Sequence, residues 1–227
     1  MDPEELAQLQ KRKIAVGTPM YEGKCHGEYA MGCSELSGAC FDLKIPITFL
    51  YIYNSSMLAA ARNMIVNNFL KTDFTHLIFI DSDTRFKALD VLTLALFDED
   101  IITAPVMLKQ KESKYNFELS DGEKLDLTKL LDVKHAGTGF SMIKRAVFEN
   151  YRDSYPHLEC SNAEGDKSFR WFDYGIRESD GVYLGEDVFF MENALRMGFK
   201  IKLCPWLKLG HIGSKTYEGD LSRLNIT

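Results

Sequence analysis

The feature that most constrains the fold is an alternation of short apolar segments with longer helix-compatible segments. Four segments are typical of buried strands, at residues 13–17, 47–53, 76–81 and 100–106. Three helix-compatible segments lie between them, at residues 28–40, 57–70 and 88–97. Strands joined through helices in this way lie parallel in one sheet, and the helices cover its two faces. We therefore predict a single α/β domain, residues 1–227, with a mostly parallel central sheet flanked by helices.

Local signals predict some of the element boundaries. The N-terminal sequence DPEE predicts a short helix, because aspartate caps a helix and proline suits its first turn. Asn54 or Ser55 is expected to cap the helix over 57–70. Residues 18–24 and 81–86 are expected to be loops at the carboxyl ends of strands, where ligands of parallel α/β sheets bind.

Beyond residue 107 the alternation ends. Residues 135–151 predict a strand followed by a helix, and residues 185–204 predict a helix followed by a strand. The polar segment 108–130 and the segment 153–181, which is rich in glycine and aromatic residues, lack a regular period. We expect both segments to be loops beside a binding site.

Composition and charge argue against several classes of protein. The 27 basic residues are outnumbered by 33 acidic ones, giving a net charge of −6, so no nucleic-acid partner is expected. No segment reaches the roughly 18 consecutive apolar residues of a transmembrane helix, and the polar N-terminus does not resemble a secretory signal. We therefore expect a cytoplasmic protein. The five cysteines are odd in number and lack metal-ligand spacing, so they are expected to be reduced thiols.

Two carboxylates directly follow the third apolar segment. In the sequence LIFIDSDT, Asp81 and Asp83 lie one residue apart at the end of a buried strand. Their mutual repulsion and desolvation favour a bound cation, and hard oxygen ligands suit Mn²⁺ or Mg²⁺. The alternative is that these aspartates cap the helix that begins near Ala88 or form an Asx turn.

Four further residues are candidates for chemistry. Glu186 and Asp187 stand at the start of a helix, where a carboxylate is well placed as a general base, although acids there also suit the helix dipole. His211 follows the last apolar strand and is either a metal ligand or an ordinary surface or core histidine. Arg62 lies in an otherwise apolar helix, so its side chain either extends to solvent or contacts a phosphate or a nucleotide base.

The order of these motifs resembles that of the nucleotide-sugar-dependent glycosyltransferases of the GT-A fold, in particular the inverting, family 2-like branch. The shared features are the TPMYEG loop, Asp81-x-Asp83, the GTGFSMIKR strand, the Gly-Glu-Asp helix start and a late histidine, all within residues 13–215. Glycosyltransferases of some large DNA viruses are similarly small and lack membrane anchors. That likeness admits a viral or phage origin and a location in the host cytoplasm.

The resemblance implies transfer of a sugar from a nucleoside-diphosphate sugar to a hydroxyl of a glycan or glycoprotein, with inversion. Uridine diphosphate is the expected leaving group by family habit. Residues 13–107 would form the nucleotide-binding half and residues 108–215 the acceptor-binding half. Thr18, Pro19 and Tyr21 would line the base and ribose pocket. The full set expected to bind the donor is Thr18, Pro19, Tyr21, Arg62, Asp81, Ser82, Gly137 and Gly139.

The same resemblance implies metal-binding and catalytic roles. Asp83 would bind Mn²⁺, or Mg²⁺, that bridges the donor diphosphate, with His211 and Asp81 as further ligands. Asp187 would take the proton of the acceptor hydroxyl, and Glu186 stands beside it as the next candidate.

Two other functions stay open from the sequence. LIFIDSDT also matches haloacid-dehalogenase-like phosphatases, which use Mg²⁺ and in which Asp81 would be the nucleophile, although here 80 residues precede it. The second is a non-catalytic module that binds a nucleotide sugar or a glycan. In either a transferase or such a module, Trp171, Phe172 and Tyr174 would stack on a sugar face, with Trp171 and Phe172 as the candidate acceptor residues, unless these aromatics form a core cluster.

Overall fold

An eight-stranded sheet forms the centre of the protein in the computed structural model, which describes residues 2–110, 114–161, 165 and 167–224. The strands of this sheet are β1 (Ile14–Met20), β2 (Ile47–Tyr53), β3 (His76–Ile80), β5 (Ile101–Thr103), β6 (Phe117–Leu119), β7 (Leu131–Ala136), β8 (Phe140–Lys144) and β13 (Ile201–Leu203). Within the described residues the helices are α1 (Pro3–Leu9), α2 (Gly27–Leu43), α3 (Leu58–Leu70), α4 (Ala88–Phe97), α5 (Arg145–Ser154) and α6 (Glu186–Arg196).

Short strands form three small sheets beside the central one. A three-stranded sheet contains β4 (Thr84–Arg85), β14 (Gly210–Ile212) and β15 (Thr216–Glu218). Two antiparallel pairs are formed by β9 (Glu159–Ser161) with β10 (Lys167–Phe169), and by β11 (Gly175–Ile176) with β12 (Tyr183–Leu184).

The central sheet is mostly parallel, as the sequence predicts. Its strand order is β2-β1-β3-β8-β5-β13-β7-β6. Strand β1 pairs in parallel with β2 and β3, and β5 pairs in parallel with β13. Strand β8 lies antiparallel between β3 and β5, and β7 lies antiparallel between β13 and β6. Strands β7 and β8 therefore run against the direction of the other six.

Two hydrophobic clusters cover the two faces of the sheet. Helices α3, α5 and α6 pack on one face, and α1, α2 and α4 pack on the other. Along β3, Leu77 and Phe79 join the first cluster, whereas Ile78 and Ile80 join the second. Because successive side chains of a strand point to opposite faces, a strand buried on both sides has a continuous apolar run. This arrangement explains the apolar segments in the sequence.

The structure corrects several predicted boundaries. Strand β1 continues to Met20 rather than ending at residue 17, because all seven of its residues pair with β2. Neither Asn54 nor Ser55 caps α3, whose N-cap is Met57 without a side-chain hydrogen bond. Asn54 instead adopts a left-handed conformation, with φ of 57°, directly after β2. The segments predicted as loops, 108–130 and 153–181, contain β6, β9, β10 and β11.

Other local predictions are confirmed. The N-terminal helix begins after Asp2, whose side chain accepts hydrogen bonds from the amides of Glu4 and Glu5. Helix α4 and strand β2 have the predicted bounds. All five cysteines are free thiols. In the part of the chain that the structure describes, no helix has the length and apolar character needed to cross a bilayer.

Candidate active site

The candidate site begins where β3 ends in a tight turn. The amide of Thr84 donates to the carbonyl of Asp81 at 2.9 Å, which closes a turn over residues 81–84. The amide of Asp81 donates to the carbonyl of Gly139 at 3.0 Å, and the carbonyl of Ser82 accepts from the amide of His26 at 2.9 Å. The turn is thus held between the segment that precedes β8 and the loop that precedes α2. It brings Ser82 beside the loop that follows β1.

Asp81 belongs to a buried ionic cluster. Arg62 of α3 is 2% exposed, and its two terminal nitrogens contact different carboxylates. One contacts Glu186 Oε1 at 2.6 Å and the other contacts Asp81 Oδ1 at 3.4 Å. A guanidinium is buried only when charged partners compensate its lost hydration. Arg62 therefore joins the end of β3 to the start of α6 through one side chain.

This cluster bears on the roles predicted for two residues. Arg62 does not extend to solvent, because both of its terminal nitrogens are engaged by carboxylates, and its contact with a nucleotide stays a prediction. Glu186 is buried and paired with Arg62, so it is held as a partner of the guanidinium rather than poised to take a proton. Asp187 is the carboxylate at the start of α6 that remains as the candidate base.

Asp83 lies in a second cluster, formed with Lys109 and His211. Lys109 Nζ forms an ion pair with Asp83 Oδ2, and His211 Nε2 lies 3.6 Å from Asp83 Oδ1. Pairing of β14 with β4 places His211 opposite Thr84, next to Asp83. Burial acts to raise the pKa of Asp83, but the hydrogen bonds and positive charges of His211 and Lys109 outweigh burial and lower that pKa to about 2. Asp83 is therefore a carboxylate at neutral pH.

His211 has the hydrogen bonding of a metal-binding histidine. Its Nδ1 lies 2.8 Å from the carbonyl oxygen of Met107. Because a carbonyl only accepts, Nδ1 donates to it, and Nε2 is the ring nitrogen that faces Asp83. Histidines that bind metals commonly donate their other ring N–H to a carbonyl or carboxylate in this way.

The protein ligands available here, Asp83 and His211, suit a divalent cation that a substrate also binds. Among residues 2–110, 114–161, 165 and 167–224, no three His, Cys, Asp or Glu side chains gather as a complete metal site. Asp83 and His211 are brought together, whereas Asp81 is engaged by Arg62. Mg²⁺ and Mn²⁺ bind through one or two protein ligands plus phosphate oxygens and water, so two protein ligands suffice. A cation at Asp83 would exchange with the ammonium of Lys109.

Asp187 lines a surface cleft of about 390 Å³ that also contains Gly137. One Asp187 carboxylate oxygen accepts from the amide of Val188 at 2.8 Å, which fixes the side chain at the first turn of α6. The wall opposite α6 comes from the segment around β6, including Asn116 and Phe117. The arrangement places a carboxylate beside a cleft next to the Arg62 cluster.

Neighbouring side chains leave no room for a Cβ at Gly137 or Gly139, the two glycines predicted to bind the donor. A Cβ on Gly137 would lie 2.2 Å from Asn116 Nδ2, and a Cβ on Gly139 would lie 2.8 Å from Asp81 Oδ2. Gly139 thus allows the Asp81 carboxylate to sit directly against the backbone before β8. Contact of either glycine with a donor sugar stays a prediction.

The segment predicted to line the base and ribose pocket is partly a buried strand. Thr18 and Pro19 are buried residues of β1, and Thr18 Oγ1 hydrogen-bonds the hydroxyl of Tyr29 at 2.6 Å. The Thr18 side chain is therefore turned into the interior and is not a wall of a base pocket. Tyr21, at 66% exposure, stands at the first position after β1 and is free to meet a ligand.

Trp171 and Phe172 are core residues, which corrects their predicted role in acceptor binding. Both are 1% exposed. Trp171 Nε1 donates to the carbonyl of Phe148, and the Phe172 ring packs against the rings of Phe79 and Phe190. Neither aromatic face is open to a sugar.

Lys109 is the functional candidate that the sequence did not reveal. It lies in the polar run LKQKESK, where no period or motif distinguishes one lysine from the next. Only the fold places Lys109 beside Asp83, because the chain after β5 passes the turn that contains Asp83.

The chain has the GT-A-type α/β fold that the sequence resemblance predicted, with β8 inserted antiparallel into the parallel strands. A197 from STIV shares this fold, with a TM-score of 0.55 at 18% identity over 88% of this chain and 86% of that one. At this identity the similarity establishes the fold alone. No protein-family model matches the sequence, and no curated protein matches it.

Further solved structures are similar at lower TM-scores. The TarS 1–349 fragment from S. aureus, in complex with UDP, gives a TM-score of 0.47 at 11% identity over 91% of this chain, which spans 59% of that fragment. A glycosyltransferase involved in the glycosylation of the major capsid of PBCV-1 gives a TM-score of 0.35 at 11% identity, over 63% of this chain and 66% of that one.

Proposed function

We propose that this chain is a glycosyltransferase that moves a sugar from a nucleoside-diphosphate sugar to an acceptor hydroxyl. The observation that carries the proposal is the bridge made by Arg62, which brings the turn containing Asp81 and Asp83 to the helix start containing Asp187. The carboxylate proposed to bind a cation and the candidate base thus lie on two elements that one buried arginine joins, at the carboxyl end of β3. Ligands bind beyond the carboxyl ends of strands in open α/β sheets.

The donor diphosphate is proposed to bind at Asp83, Lys109 and His211. Asp83 and His211 would hold Mn²⁺ or Mg²⁺, which when bound supplies Lewis-acid stabilisation of charge on the departing diphosphate. Lys109, displaced from Asp83 by the cation, would contact a phosphate oxygen as a second positive charge. Uridine as the base rests on the family resemblance.

Asp187 is proposed as the general base for transfer with inversion. The acceptor oxygen forms a bond to the anomeric carbon while the bond from that carbon to the diphosphate oxygen breaks, and the acceptor proton passes to Asp187. General base catalysis of this kind contributes about 10²–10⁴-fold in rate. The acceptor is proposed to be a glycan or glycoprotein, and the cytoplasmic location stays a prediction.

Thermal shift with nucleotides tests donor binding directly, because a ligand bound by the native state raises its melting temperature. The panel contains UDP, GDP, CDP and dTDP and their glucose or mannose esters, each with and without Mn²⁺. We expect a shift selective for one base that needs Mn²⁺, and its loss in Asp83→Asn. Absence of a shift with every nucleotide would count against the proposal.

Product analysis separates an enzyme from a binding module. With the stabilising donor, wild-type protein is expected to release free sugar or transferred product, and Asp187→Asn is expected to bind the donor normally while turnover falls about 10²-fold or more. Binding without turnover in the wild type identifies a non-catalytic module. An unchanged rate in Asp187→Asn places the base elsewhere.

No observation favours the phosphatase alternative. The nucleophile it requires, Asp81, is engaged by Arg62 and packed against Gly139. Hydrolysis of p-nitrophenyl phosphate with Mg²⁺, abolished by Asp81→Asn, would establish it in place of the transferase.

A further inference from the structure

The hairpin formed by β11 and β12 exposes an apolar face directly before α6. Its exposed side chains are Tyr174, Ile176, Val182 and Tyr183. Ile176 and Tyr183 are cross-strand partners, so they share one face of the hairpin. The Tyr174 and Tyr183 rings are parallel within 1°, with centroids 6.1 Å apart. Two parallel aromatic rings thus stand open to solvent.

Contacts on the other side of the hairpin hold these rings in place. Leu184 is buried, and Gly175 lies so close to Phe189 of α6 that a Cβ would meet its ring at 2.6 Å. Arg177 binds Glu192 of α6 through Nε at 3.0 Å and through a terminal nitrogen at 2.6 Å. A two-pronged arginine–carboxylate pair fixes orientation as well as distance. The hairpin is therefore attached to the helix that carries the candidate base.

The tyrosine pair lies on the segment that leads into α6, whose first turn carries the candidate base. Tyr183 is two residues before Gly185, the N-cap of α6. Partial burial raises the pKa of Tyr174, and the negative charges of Glu186 and Asp187 raise it further. A surface groove of about 290 Å³ is lined by Tyr174, by Met57, the N-cap of α3, and by Met64 of α3.

We propose that Tyr174 and Tyr183 form the platform on which a pyranose ring of the acceptor stacks, with its reacting hydroxyl toward Asp187. This inference rests on the proposed function and assigns the residues that bind its carbohydrate acceptor. A tyrosine offers an apolar face to the C–H groups of a sugar and a hydroxyl to its O–H groups. Of the three aromatic residues predicted to stack on a sugar, the platform retains Tyr174, whereas the core encloses Trp171 and Phe172.

The size and surroundings of this face favour a sugar over a protein partner. Stable protein interfaces bury about 800 Å² on each partner, whereas the apolar face here consists of four side chains. Charged residues border it, including the pair formed by Arg170 and Asp173 and the pair formed by Arg177 and Asp180. Four apolar side chains bordered by charges are too small a surface for a stable protein interface.

Saturation-transfer NMR with simple pyranosides tests the platform. The probes are methyl β-D-glucopyranoside, methyl β-D-galactopyranoside and methyl α-D-mannopyranoside, each added to protein saturated with the stabilising nucleotide. We expect transfer to the ring C–H protons of at least one probe. The Tyr174→Ala, Tyr183→Ala double variant should bind that probe roughly threefold to tenfold more weakly, as loss of aromatic contacts of this size implies.

Two matched variants make the result specific. The double variant Tyr174→Phe, Tyr183→Phe keeps both rings and should retain most of the transfer. Phe41→Ala removes an exposed aromatic ring of α2 and should leave the transfer unchanged. Equal transfer in wild type and the double alanine variant would overturn the platform, and so would absence of transfer from all three probes.

Other readouts separate failure of the platform from failure of the proposed function. Nucleotide binding that survives in the double alanine variant, together with loss of pyranoside contact, supports the platform. A wild-type dimer that becomes a monomer in the double alanine variant would assign the face to a second copy of the chain and overturn the proposal. A wild type that binds no nucleotide contradicts the glycosyltransferase itself, whatever the pyranosides do.

Discussion

At the scale of single residues, Arg62 decides how the candidate site is assembled. Its guanidinium is enclosed between Asp81 and Glu186, and its Nε has no hydrogen-bond partner among the described residues. The site therefore depends on a charge that the interior tolerates only while both carboxylates stay in place. Arg62 acts as a positioning residue, since what it contacts is protein.

Replacing Arg62 with methionine is expected to destabilise the protein by about 3–5 kcal/mol, because Glu186 is left buried without a partner. The double variant Arg62→Met, Glu186→Gln should recover part of that loss, since no uncompensated charge remains at position 186. Urea unfolding measures both. The control is Arg196→Met on the exposed end of α6. A loss in Arg62→Met no larger than in this control would contradict the cluster.

His76 gives the protein a predictable pH dependence of stability. Burial lowers its pKa, and the hydrogen bond to Asp98 only partly offsets burial. The unfolded chain, with a histidine pKa of about 6.5, therefore binds the proton more readily than the folded one. The contribution of His76 to the free energy of unfolding is therefore fully present above about pH 6.5. It is lost as the pH falls toward the lower pKa that His76 has in the folded protein.

His76→Gln is expected to flatten the fall in the urea midpoint between about pH 7.5 and 5.5, a window set by the unfolded pKa. His157→Gln, at an exposed position, serves as the control and should keep the wild-type slope. Identical slopes in wild type and His76→Gln would show that His76 does not titrate on unfolding.

Individual residues also show which parts of the candidate site the sequence predicts. Asp83 was identified from its place after an apolar strand, and this required only local pattern. The contact between Asp83 and His211 depends on pairing of β4 with β14, two short strands far apart in sequence, so only the family resemblance anticipated it. The ion pairs of Arg62 with Asp81 and Glu186 are not predicted, because a helix position does not reveal which carboxylates the fold brings to it.

At the scale of elements, the β11–β12 hairpin is stable only through its attachment to α6. Two-residue strands have too few backbone hydrogen bonds to persist alone. Arg177 binds Glu192 across the gap and also Asp180 within the hairpin turn. The orientation of the exposed tyrosines therefore depends on Arg177 together with the buried Leu184 and the contact of Gly175 with Phe189.

Arg177→Met is expected to speed amide hydrogen exchange over residues 174–184 several-fold and to leave the urea midpoint nearly unchanged, because local opening does not require global unfolding. Exchange followed by mass spectrometry measures the change. Lys129→Met breaks an exposed ion pair with Glu123 and is the matched control. Unaltered exchange in Arg177→Met would mean that Leu184 and Gly175 suffice to hold the hairpin.

The elements that the sequence predicted well are those with long local patterns. Helix α4 and strand β2 were placed with correct bounds because ten and seven residues define their periodicity. Strands β4, β11 and β12 contain two residues each, which is too short for any alternation. Such strands exist because a distant partner supplies their hydrogen bonds. The length of β1 is underestimated for the same reason, since its last residues are in the strand only because they pair with β2.

At the scale of the whole molecule, the two hydrophobic clusters share one sheet. Leu36 of α2 and Phe148 of α5 are fully buried on opposite faces of that sheet. They also belong to the two parts of the chain that the resemblance assigned to nucleotide and acceptor binding. Their effects on unfolding therefore test whether the chain is one domain.

Leu36→Ala and Phe148→Ala are expected to cost about 2–5 and 3–5 kcal/mol, respectively, by leaving cavities. Each should shift a single urea transition that is seen equally by tryptophan fluorescence and circular dichroism. Phe97→Ala, at a partly exposed position, should cost less and serves as the control. Two separable transitions, each sensitive to one variant, would contradict the single-domain prediction.

The antiparallel position of β8 has a consequence for how the newly made chain folds. Strands β3 and β5 are synthesised first, yet they are not neighbours, and the place between them is filled by residues 140–144. A nascent chain that has passed only residue 110 therefore exposes the edge of β3 and lacks both partners of β5, which are β8 and β13. Unpaired strand edges pair readily with foreign chains. The ribosome must deliver β8 before the earlier strands can close, so chaperone protection matters most during that interval of translation.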